Sequence, residues 1–292
     1  MTISLSRPDK LLLPGVSKAD LADYYDAVAP RMLPHLRGRP LARQRFPDGI
    51  DHGGFMEKQL PAGAPDVVHR ASVPKVSGGE VTMLVCDNAS TLRYLANQAA
   101  ITLHPWLARA RAPRRPDRLI LDMDPPAGFA AARAAALAAR ELFTEVGLEP
   151  YVMTTGSRGL HVTAPIAGRD EVNDVLALAR ELADALAARY PRTLTTAARK
   201  ANRGRRLYVD ALRNGYAQHA VAPYSVRPLP RAPVATPLHW HELDDPRLTA
   251  RTHTVRTVLD RDDPWADFPR TGPSVAAVRK RLTDLAGPGL VG

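Results

Sequence analysis

The sequence predicts a mixed α/β fold, in which strands alternate with helices and some neighbouring strands form hairpins. Short apolar segments alternate along the chain with longer segments whose apolar residues recur at helical spacing. Two of the apolar segments, YVMTT and LHVTAPI, are separated only by the tight-turn sequence GSRG. Such a pair indicates antiparallel neighbours, so we expect a mixed sheet rather than a strictly parallel one.

The first predicted helix lies near the N-terminus. In the segment SKADLADYYDAV, Ser17 is suited to cap a helix, and Asp20 completes a capping-box pattern. Pro30 and Pro34 are expected to end or kink this helix, because proline lacks the backbone N–H that a helix interior uses.

A basic strand, RPLARQRF, and a Gly/Asp turn, PDGIDHGGF, are predicted next. The segment VTMLVC then predicts a strand, and STLRYLANQAAI predicts a second helix. The arginine- and proline-rich segment RAPRRPDR, residues 111–118, is predicted to be a surface connector between two lobes.

The second half of the chain gives the clearest periodicity. The segment LILDMD predicts a strand, and an alanine-rich helix that ends near Gly147 follows it. After the hairpin, EVNDVLALARELADALAARY predicts an amphipathic helix, and RRLYVDAL predicts another strand. Residues 224–251 are rich in Pro and His and predict irregular structure, and residues 274–285 predict a last amphipathic helix.

The composition limits the class of protein. The chain has 292 residues, 45% of them apolar, which suffices for one large domain or two ordinary ones with a sizeable core. Its single cysteine, Cys86, excludes an intramolecular disulfide and a cysteine-rich zinc site, which fits a reducing cytoplasm. We find neither an apolar run of membrane-spanning length nor a signal-peptide pattern, and therefore expect a soluble intracellular protein.

The charge balance points towards a polyanionic partner. The chain carries 40 Lys and Arg against 30 Asp and Glu, a formal net charge of +10. Arginine dominates, and its planar guanidinium suits phosphate oxygens. A GC-rich genome that favours arginine codons would give a similar composition, so charge alone leaves both explanations open.

The motif LDMDPP places two carboxylates at the end of an apolar strand. Because side chains alternate between the two faces of a strand, Asp122 and Asp124 project from one face, and Leu121 and Met123 project from the other. Two carboxylates so close together repel each other unless a cation lies between them, and an all-oxygen site favours Mg²⁺ or Mn²⁺. A solvated strand end before proline would give the same motif.

A third aspartate strengthens the metal-site hypothesis. In RRLYVDALRN, Asp210 also follows an apolar strand. Three aspartates at strand ends form the ligand set that two-metal phosphoryl-transfer enzymes use.

The turn between the hairpin strands offers phosphate-binding groups. In TTGSRGLHV, two glycines flank Ser157 and Arg158, and His161 lies on the following strand. An ordinary hairpin turn with a core histidine explains the same residues. Arg227 in APYSVRP and His104 in ITLHPWL are further candidates for contacts to a nucleotide, although each is weak alone.

Taken together and in order, these motifs resemble those of the polymerase domain of bacterial ligase D, which belongs to the archaeo-eukaryotic primase superfamily. The resemblance rests on HPWL, LDMDPP, TTGSRGLHV, VDALRN, APYSVRP and TPLHWHEL, and on a nearly continuous similarity over residues 8–58. It extends to about Leu243. That family works in Ku-dependent end joining and related gap filling.

The resemblance implies a primase-polymerase fold, with a mixed sheet and two lobes around a central catalytic cleft. It implies one catalytic domain over residues 1–292, with an N-terminal lobe at about 1–110, a catalytic sheet at about 111–230 and a C-terminal extension at about 231–292.

The resemblance also implies roles for individual residues. Asp122, Asp124 and Asp210 match a catalytic triad that holds two Mn²⁺ or Mg²⁺ ions. The positions that match contacts to the incoming nucleotide are His104, Thr155, Arg158, His161 and Arg227. The positions that match contacts to the DNA 5′-phosphate and template are Lys10, Lys18, Arg45, Phe55 and Lys58.

Some positions depart from the family pattern. Thr155 and Arg158 replace a usual serine and a frequent lysine and keep the hydrogen-bond donor. Met56 replaces the second aromatic of a Phe-Phe pair, Ala211 replaces a tyrosine, and Gln218 replaces a frequent lysine.

The implied function is template-dependent addition of nucleotides to a primer 3′-OH at gaps or broken ends of 5′-phosphorylated DNA, with a preference for ribonucleotides and manganese. We expect a cytoplasmic, nucleoid-associated enzyme with Ku and a separate DNA ligase as candidate partners. The sequence has no ligase or nuclease region, so we expect either a stand-alone enzyme or an excised domain.

Two alternatives compete with this function. A DxD phosphatase of the haloacid-dehalogenase type also places DxD after an apolar strand, but it expects Thr or Val shortly after the second Asp, where this chain has Pro125 and Pro126. A catalytically silent DNA-binding module that recruits repair partners would have no need for the three aspartates.

Overall fold

The computed structural model describes residues 3–126 and 128–286, and it confirms the mixed α/β fold there. The described chain forms a two-stranded hairpin, a five-stranded sheet and a six-stranded sheet, with five α-helices packed against them. None of these five helices combines the length and hydrophobicity of a membrane span.

The first part of the chain builds the hairpin and the five-stranded sheet. Its elements are β1 (Leu11–Leu13), β2 (Val16–Ser17), α1 (Lys18–Leu36), β3 (Pro40–Arg45), β4 (Phe55–Glu57), β5 (His69–Pro74), β6 (Glu80–Val85), α2 (Ala89–Asn97) and β7 (Ala100–Pro105). The strand order is β4-β3-β6-β5, and β7 also pairs with β3. All these pairings are antiparallel.

The second part builds the six-stranded sheet. Its elements are β8 (Arg118–Asp124), α3 (Phe129–Glu145), β9 (Tyr151–Thr154), β10 (Leu160–Pro165), α4 (Val172–Arg189), β11 (Leu194–Thr195), β12 (Leu207–Asp210), β13 (Pro237–Leu238) and α5 (Val275–Ala286). The order is β11-β12-β8-β10-β9-β13, in which only the β11–β12 pair is parallel.

Helix α1 begins as predicted and continues further than predicted. The Ser17 hydroxyl accepts from the Asp20 N–H at 3.1 Å, and the Asp20 carboxylate accepts from the Ser17 N–H at 2.7 Å, which completes the capping box. The expectation that Pro30 or Pro34 ends the helix is wrong, because the helix continues to Leu36. Both prolines lie on its exposed side, and its other side is buried in the core.

The predicted helix STLRYLANQAAI is wrong at its C-terminal end. Helix α2 stops at Asn97, and the chain turns at Ala99, whose φ of 53° is left-handed and incompatible with a continuing α-helix. Strand β7, which was not predicted, begins one residue later and places His104 on the sheet.

Alternation along β8 separates a core face from a cleft face. Leu119, Leu121 and Met123 are fully buried in a core with residues of α3 and α4. Met123 faces Leu160 on β10 and Val209 on β12, so apolar residues meet across three strands. The opposite face carries the aspartates.

Asn214 replaces a missing stretch of strand beside β8. Strand β12 ends at Asp210, so it does not reach Ile120. The buried Asn214 amide accepts from the Ile120 N–H at 2.9 Å and donates to the Ile120 carbonyl at 2.7 Å. It also donates to the Ala211 carbonyl at 2.8 Å, which ties the chain after β12 to the middle of β8.

The chain crosses between its two main cores. One core contains residues of α1, α2 and β7, and it also contains Ala222 and Val234 from beyond β12. The predicted boundaries between N-terminal lobe, catalytic sheet and C-terminal extension, near residues 110 and 230, stay predictions.

We predict that Asn214→Ala lowers the free energy of unfolding by about 3 kcal/mol, because both backbone groups of Ile120 lose their partner in a buried site. Urea unfolding followed by circular dichroism measures this loss. The matched control, Asn202→Ala at an exposed position, should stay within about 0.5 kcal/mol of the wild type. An equal effect of both substitutions would show that Asn214 does not secure β12 to β8.

Candidate active site

Strand register places two of the predicted aspartates and a histidine side by side. Asp122 on β8 is the Cα partner of Asp210 on β12 and of His161 on β10. Because directly paired residues point to the same face of a sheet, the three side chains form one row across three strands. Asp124 lies two residues further along the same face.

Asp122 is held ionised by the groups around it. Its carboxylate lies 3.6 Å from His161 Nε2 and 3.4 Å from Arg213 Nε. Burial alone would raise the pKa of Asp122, but His161 and Arg213 outweigh burial and hold the pKa below its ordinary value. The site therefore keeps a negative charge in a nearly dry position.

Asp124 has a different environment. Arg158 Nη2 donates to its carboxylate at 2.6 Å. Burial nevertheless raises the pKa of Asp124, and the neighbouring charge of Asp122 acts in the same direction. The two aspartates therefore have pKa values shifted in opposite directions.

Asp210 is partly engaged in the local turn. One carboxylate oxygen accepts from the Leu212 N–H at 2.7 Å, and the other lies 3.7 Å from Arg213 Nε. The guanidinium of Arg213 thus lies between the carboxylates of Asp122 and Asp210.

The predicted phosphate-binding turn is tightly packed against the end of β8. The Thr155 hydroxyl accepts from the Ser157 and Gly159 N–H groups at 3.3 and 3.2 Å. A Cβ atom on Gly159 would lie 2.0 Å from the Met123 carbonyl oxygen, so only glycine allows this approach. Thr155 therefore shapes the turn, and Arg158 extends from it to Asp124.

Arg227 and two histidines also line the cleft, and Arg227 packs on the turn, since a Cβ atom on Gly156 would lie 2.6 Å from its Cγ. The ring of His104 lies 5.1 Å from the ring of His219. Burial lowers the pKa of His104 well below its ordinary value and that of His219 to about 4, so both rings are neutral at pH 7. Arg227 Nε and His219 Nδ1 are buried without a hydrogen-bond partner.

These groups line one cleft of about 290 Å³. The predicted residues that the structure brings together there are Asp122, Asp124, His104, Thr155, Arg158, His161 and Arg227. Asp210 borders Asp122 without lining the cleft itself, and the five predicted DNA contacts lie outside the lining.

Lys10 and Lys18 lie together at the β1–β2 hairpin. The Lys18 N–H donates to the Lys10 carbonyl at 2.8 Å. Lys10 Nζ pairs with Asp48 at 2.7 Å, and the buried Lys18 Nζ donates to the Ser6 carbonyl at 2.6 Å. Burial lowers the pKa of Lys18, and the charges of Arg7 and Lys10 lower it further, which indicates a local excess of positive charge.

Arg45, Phe55 and Lys58 lie on or beside the β3–β4 pair. The Arg45 guanidinium is 5.5 Å from the centroid of the Phe55 ring, and it also pairs with Glu57 at 3.2 Å. Phe55 is 48% exposed, an unusual position for a large aromatic side chain. Lys58 is exposed, and its charge contributes to the lowered pKa of His219 in the cleft.

Sequence reasoning missed Arg213 and His219. Arg213 contacts both Asp122 and Asp210, and His219 packs on His104. Arg213 follows Asp210 by three residues, so the short turn after β12 was the available signal. Nothing in the local sequence around His219 indicates its partner.

The three carboxylates are chemically suited to a divalent cation, because hard cations prefer oxygen ligands. The Arg213 guanidinium, which is itself cationic, already lies between Asp122 and Asp210. Among residues 3–126 and 128–286, no three His, Cys, Asp or Glu side chains converge into a ready-made metal site. The predicted triad with two ions therefore stays a prediction, and it requires Arg213 and Arg158 to release the carboxylates.

Comparison with known proteins identifies relatives. Residues 17–267 match the family model described as LigD, primase-polymerase domain. The "Multifunctional non-homologous end joining DNA repair protein LigD" of Mycobacterium tuberculosis is 36% identical over 91% of this chain, which spans 38% of that protein. The "Bifunctional non-homologous end joining protein LigD" of Bacillus subtilis is 30% identical over 87% of this chain, which spans 42% of that protein. The chain thus spans less than half the length of these curated relatives.

A solved structure gives the same result. The polymerase domain from Mycobacterium tuberculosis ligase D in complex with DNA superimposes with a TM-score of 0.86 at 34% identity. The match covers 93% of this chain and 99% of that one.

These matches confirm the resemblance, the primase-polymerase fold and the enzyme class, nucleotidyltransferase, that the sequence predicted. They give no support to the phosphatase alternative. The chain belongs to the LigD primase-polymerase domain family.

Proposed function

We propose that this domain adds nucleotides to a primer 3′-OH in a template-dependent reaction at DNA gaps or broken ends. The observation that supports it best is the juxtaposition in one cleft of Asp122 and Asp124 with Arg158 and Arg227. Carboxylates that attract cations thus face guanidinium groups that attract phosphates, as phosphoryl transfer requires.

Asp122, Asp124 and Asp210 would hold the metal. Two bound Mn²⁺ or Mg²⁺ ions would supply the positive charge that activates the primer oxygen and stabilises the departing pyrophosphate. His161 positions Asp122 from the neighbouring strand, and the depressed pKa of Asp122 keeps it available as an anionic ligand at neutral pH.

The triphosphate would lie against the GSRG turn and the Arg227 side chain that packs on it. Arg158 extends from the GSRG turn, and Arg227 carries a buried Nε without a protein partner, so both have donors to offer to phosphate oxygens. His104, neutral and half-buried, serves as a hydrogen-bond donor to phosphate or sugar without adding charge. Thr155 acts indirectly, because its hydroxyl holds the turn that presents Arg158.

The DNA would bind along the N-terminal part. The neighbouring Lys10 and Lys18 suit a terminal 5′-phosphate, and the exposed Phe55 suits stacking on a template base. Arg45 and Lys58 extend this basic surface towards the cleft.

The biological setting follows from the names of the relatives, which are non-homologous end joining proteins. We propose that this domain works in end joining or related gap repair in the bacterial cytoplasm at the nucleoid, together with Ku and a DNA ligase activity. The preference for ribonucleotides and Mn²⁺ is part of this proposal and rests on the family resemblance.

We predict that Asp122→Asn reduces nucleotide incorporation by roughly 100-fold or more, because the substitution removes an anionic metal ligand and retains the side-chain shape. The assay is primer extension on a gapped duplex with a 5′-phosphate, run with ribo- and deoxynucleotides in Mn²⁺ and in Mg²⁺. Chelation of the metal should abolish incorporation in the wild type.

The control for this assay is Asp184→Asn, at an exposed position on α4, which should retain wild-type activity. Equal incorporation by the wild type and Asp122→Asn would refute the catalytic assignment. Binding of gapped DNA without incorporation under any metal would instead favour the catalytically silent module.

We predict that the double substitution Lys10→Gln with Lys18→Gln weakens binding to a 5′-phosphorylated gap by about tenfold, because two charge-assisted contacts to the phosphate are lost. Binding to the same gap without the phosphate should weaken less. Fluorescence anisotropy with the two labelled duplexes measures the ratio.

Lys280→Gln, on α5 and paired with Asp284, is the control and should change neither affinity. If the double variant loses the same factor of affinity for both duplexes, the lysines do not recognise the phosphate.

A further inference from the structure

A second cavity, larger than the catalytic cleft, lies between α1, the connector that precedes β8 and residues 263–271. Its volume is about 790 Å³. Among the described residues that line it, eight are arginines and only two are acidic, Asp117 and Asp263. We call it the arginine cavity; its arginines are Arg31, Arg37, Arg39, Arg109, Arg111, Arg115, Arg118 and Arg270.

The arginine cavity is separate from the catalytic cleft. Arg118 and Asp122 lie on the same face of β8, four residues and therefore about 13 Å apart. Between them Ile120 packs against Leu107 and Ala220 in a small apolar cluster. This cluster closes off one end of the strand from the other.

The two acidic residues do not neutralise the cavity. Asp117 is occupied by Arg39 at 2.5 Å and by Arg109 at 2.9 Å. The Asp263 carboxylate accepts hydrogen bonds from the Tyr224 hydroxyl and from the backbone N–H of Trp265. A third lining arginine, Arg115, pairs with Glu171 at 3.1 Å. Among the described residues, the arginines of the cavity that form no salt bridge are thus Arg31, Arg37, Arg111, Arg118 and Arg270.

Arg118, at the start of β8, is one of the arginines of the cavity without a salt bridge. Its guanidinium contacts His35 Nδ1 at 3.4 Å and lies 4.9 Å from the Phe268 ring, and it forms no salt bridge with any described carboxylate. Burial lowers the pKa of Arg118 well below its ordinary value, and the charge of Arg39 lowers it further, whereas the charge of Asp117 acts in the opposite direction. A bound anion would relieve this unfavourable burial of positive charge.

Two buried donors at the same cavity lack an acceptor. Arg39 is 1% exposed and Trp265 is 3% exposed, yet Arg39 Nε and Trp265 Nε1 have no hydrogen-bond partner. A buried donor without an acceptor costs about 1–3 kcal/mol, so such groups usually have a partner. These two atoms are themselves shielded from solvent, so the groups that can meet anionic oxygen atoms in the cavity are the guanidinium groups that line it.

We propose that the arginine cavity binds a small polyphosphate anion, of the pyrophosphate or nucleoside-phosphate class. Several guanidinium forks suit several phosphate oxygens at once, and the volume lies in the range of small-ligand sites. A small anion is favoured over a DNA strand because Arg39 and Trp265 line the cavity and are almost fully buried. The site is independent of the proposed polymerase function.

The test observes the tryptophan indole N–H signals of the ¹⁵N-labelled protein during titration with pyrophosphate in EDTA. The chain has three tryptophans. Trp265 lines the arginine cavity, Trp106 pairs with His219 beside the catalytic cleft, and Trp240 already donates to the Pro150 carbonyl at 3.0 Å. The Trp265→Phe variant assigns the Trp265 signal.

We expect a saturable shift of the Trp265 signal, independent of any shift at Trp106. Arg118→Gln should weaken this binding by about tenfold, and Arg270→Gln, at an exposed rim position, by about threefold. Melting curves check that both variants fold. If Arg118→Gln does not fold, Arg270→Gln at the rim still tests the proposal. Arg247→Gln, a surface arginine paired with Asp245, is the control and should bind as the wild type does.

A parallel titration with ATP distinguishes the sources of the phosphate. Tighter binding of ATP than of pyrophosphate identifies a nucleoside phosphate, and equal binding identifies the polyphosphate group alone. The proposal is overturned if Trp265 does not respond to either anion, or if the affinity is unchanged in both cavity variants. It is also overturned if only a DNA duplex moves the Trp265 signal.

Discussion

The register of β8 between β10 and β12 is the constraint on which the rest of the site depends. It places Asp122 between His161 and Asp210 on one face and Met123 between Leu160 and Val209 on the other. A slip of one residue would move the carboxylates into the apolar core and the core residues into the cleft. Burial of the apolar row therefore fixes the position of the charged row, and Asn214 secures β8 where β12 has ended.

In a chain with a formal net charge of +10, each carboxylate in or beside the cleft lies next to a positive group: Asp122 and Asp210 next to Arg213, and Asp124 next to Arg158. These arginines offset the negative charge of the three carboxylates. The surplus positive charge lies around Lys10 and Lys18 and, separately, in the arginine cavity, where phosphate anions would be the natural counter-charge.

Local sequence pattern was enough to predict the β9–β10 hairpin, the four longest helices and the shared face of Asp122 and Asp124. Each of these features depends on neighbours within a few residues. The family resemblance, carried by the order of the motifs, implied seven of the residues that line the cleft. Local pattern could not predict that Arg213 lies between two aspartates from different strands, or that His219 packs on His104, since these contacts depend on strand pairing. The connector RAPRRPDR was expected to be a plain surface segment, and its arginines form a cavity only with α1 and residues 263–271.

We propose that Asp122, Asp124 and Asp210 bind a divalent cation and that this binding requires the Arg213 guanidinium to move away from Asp122 and Asp210. Diffraction at the manganese absorption edge, from crystals grown with Mn²⁺, a gapped duplex and a nucleotide, tests it directly. We expect anomalous density bounded by Asp122, Asp124 and Asp210, with the Arg213 guanidinium displaced from its position 3.4 Å from Asp122. Arg213 still between Asp122 and Asp210, with no anomalous density beside them, would contradict the account.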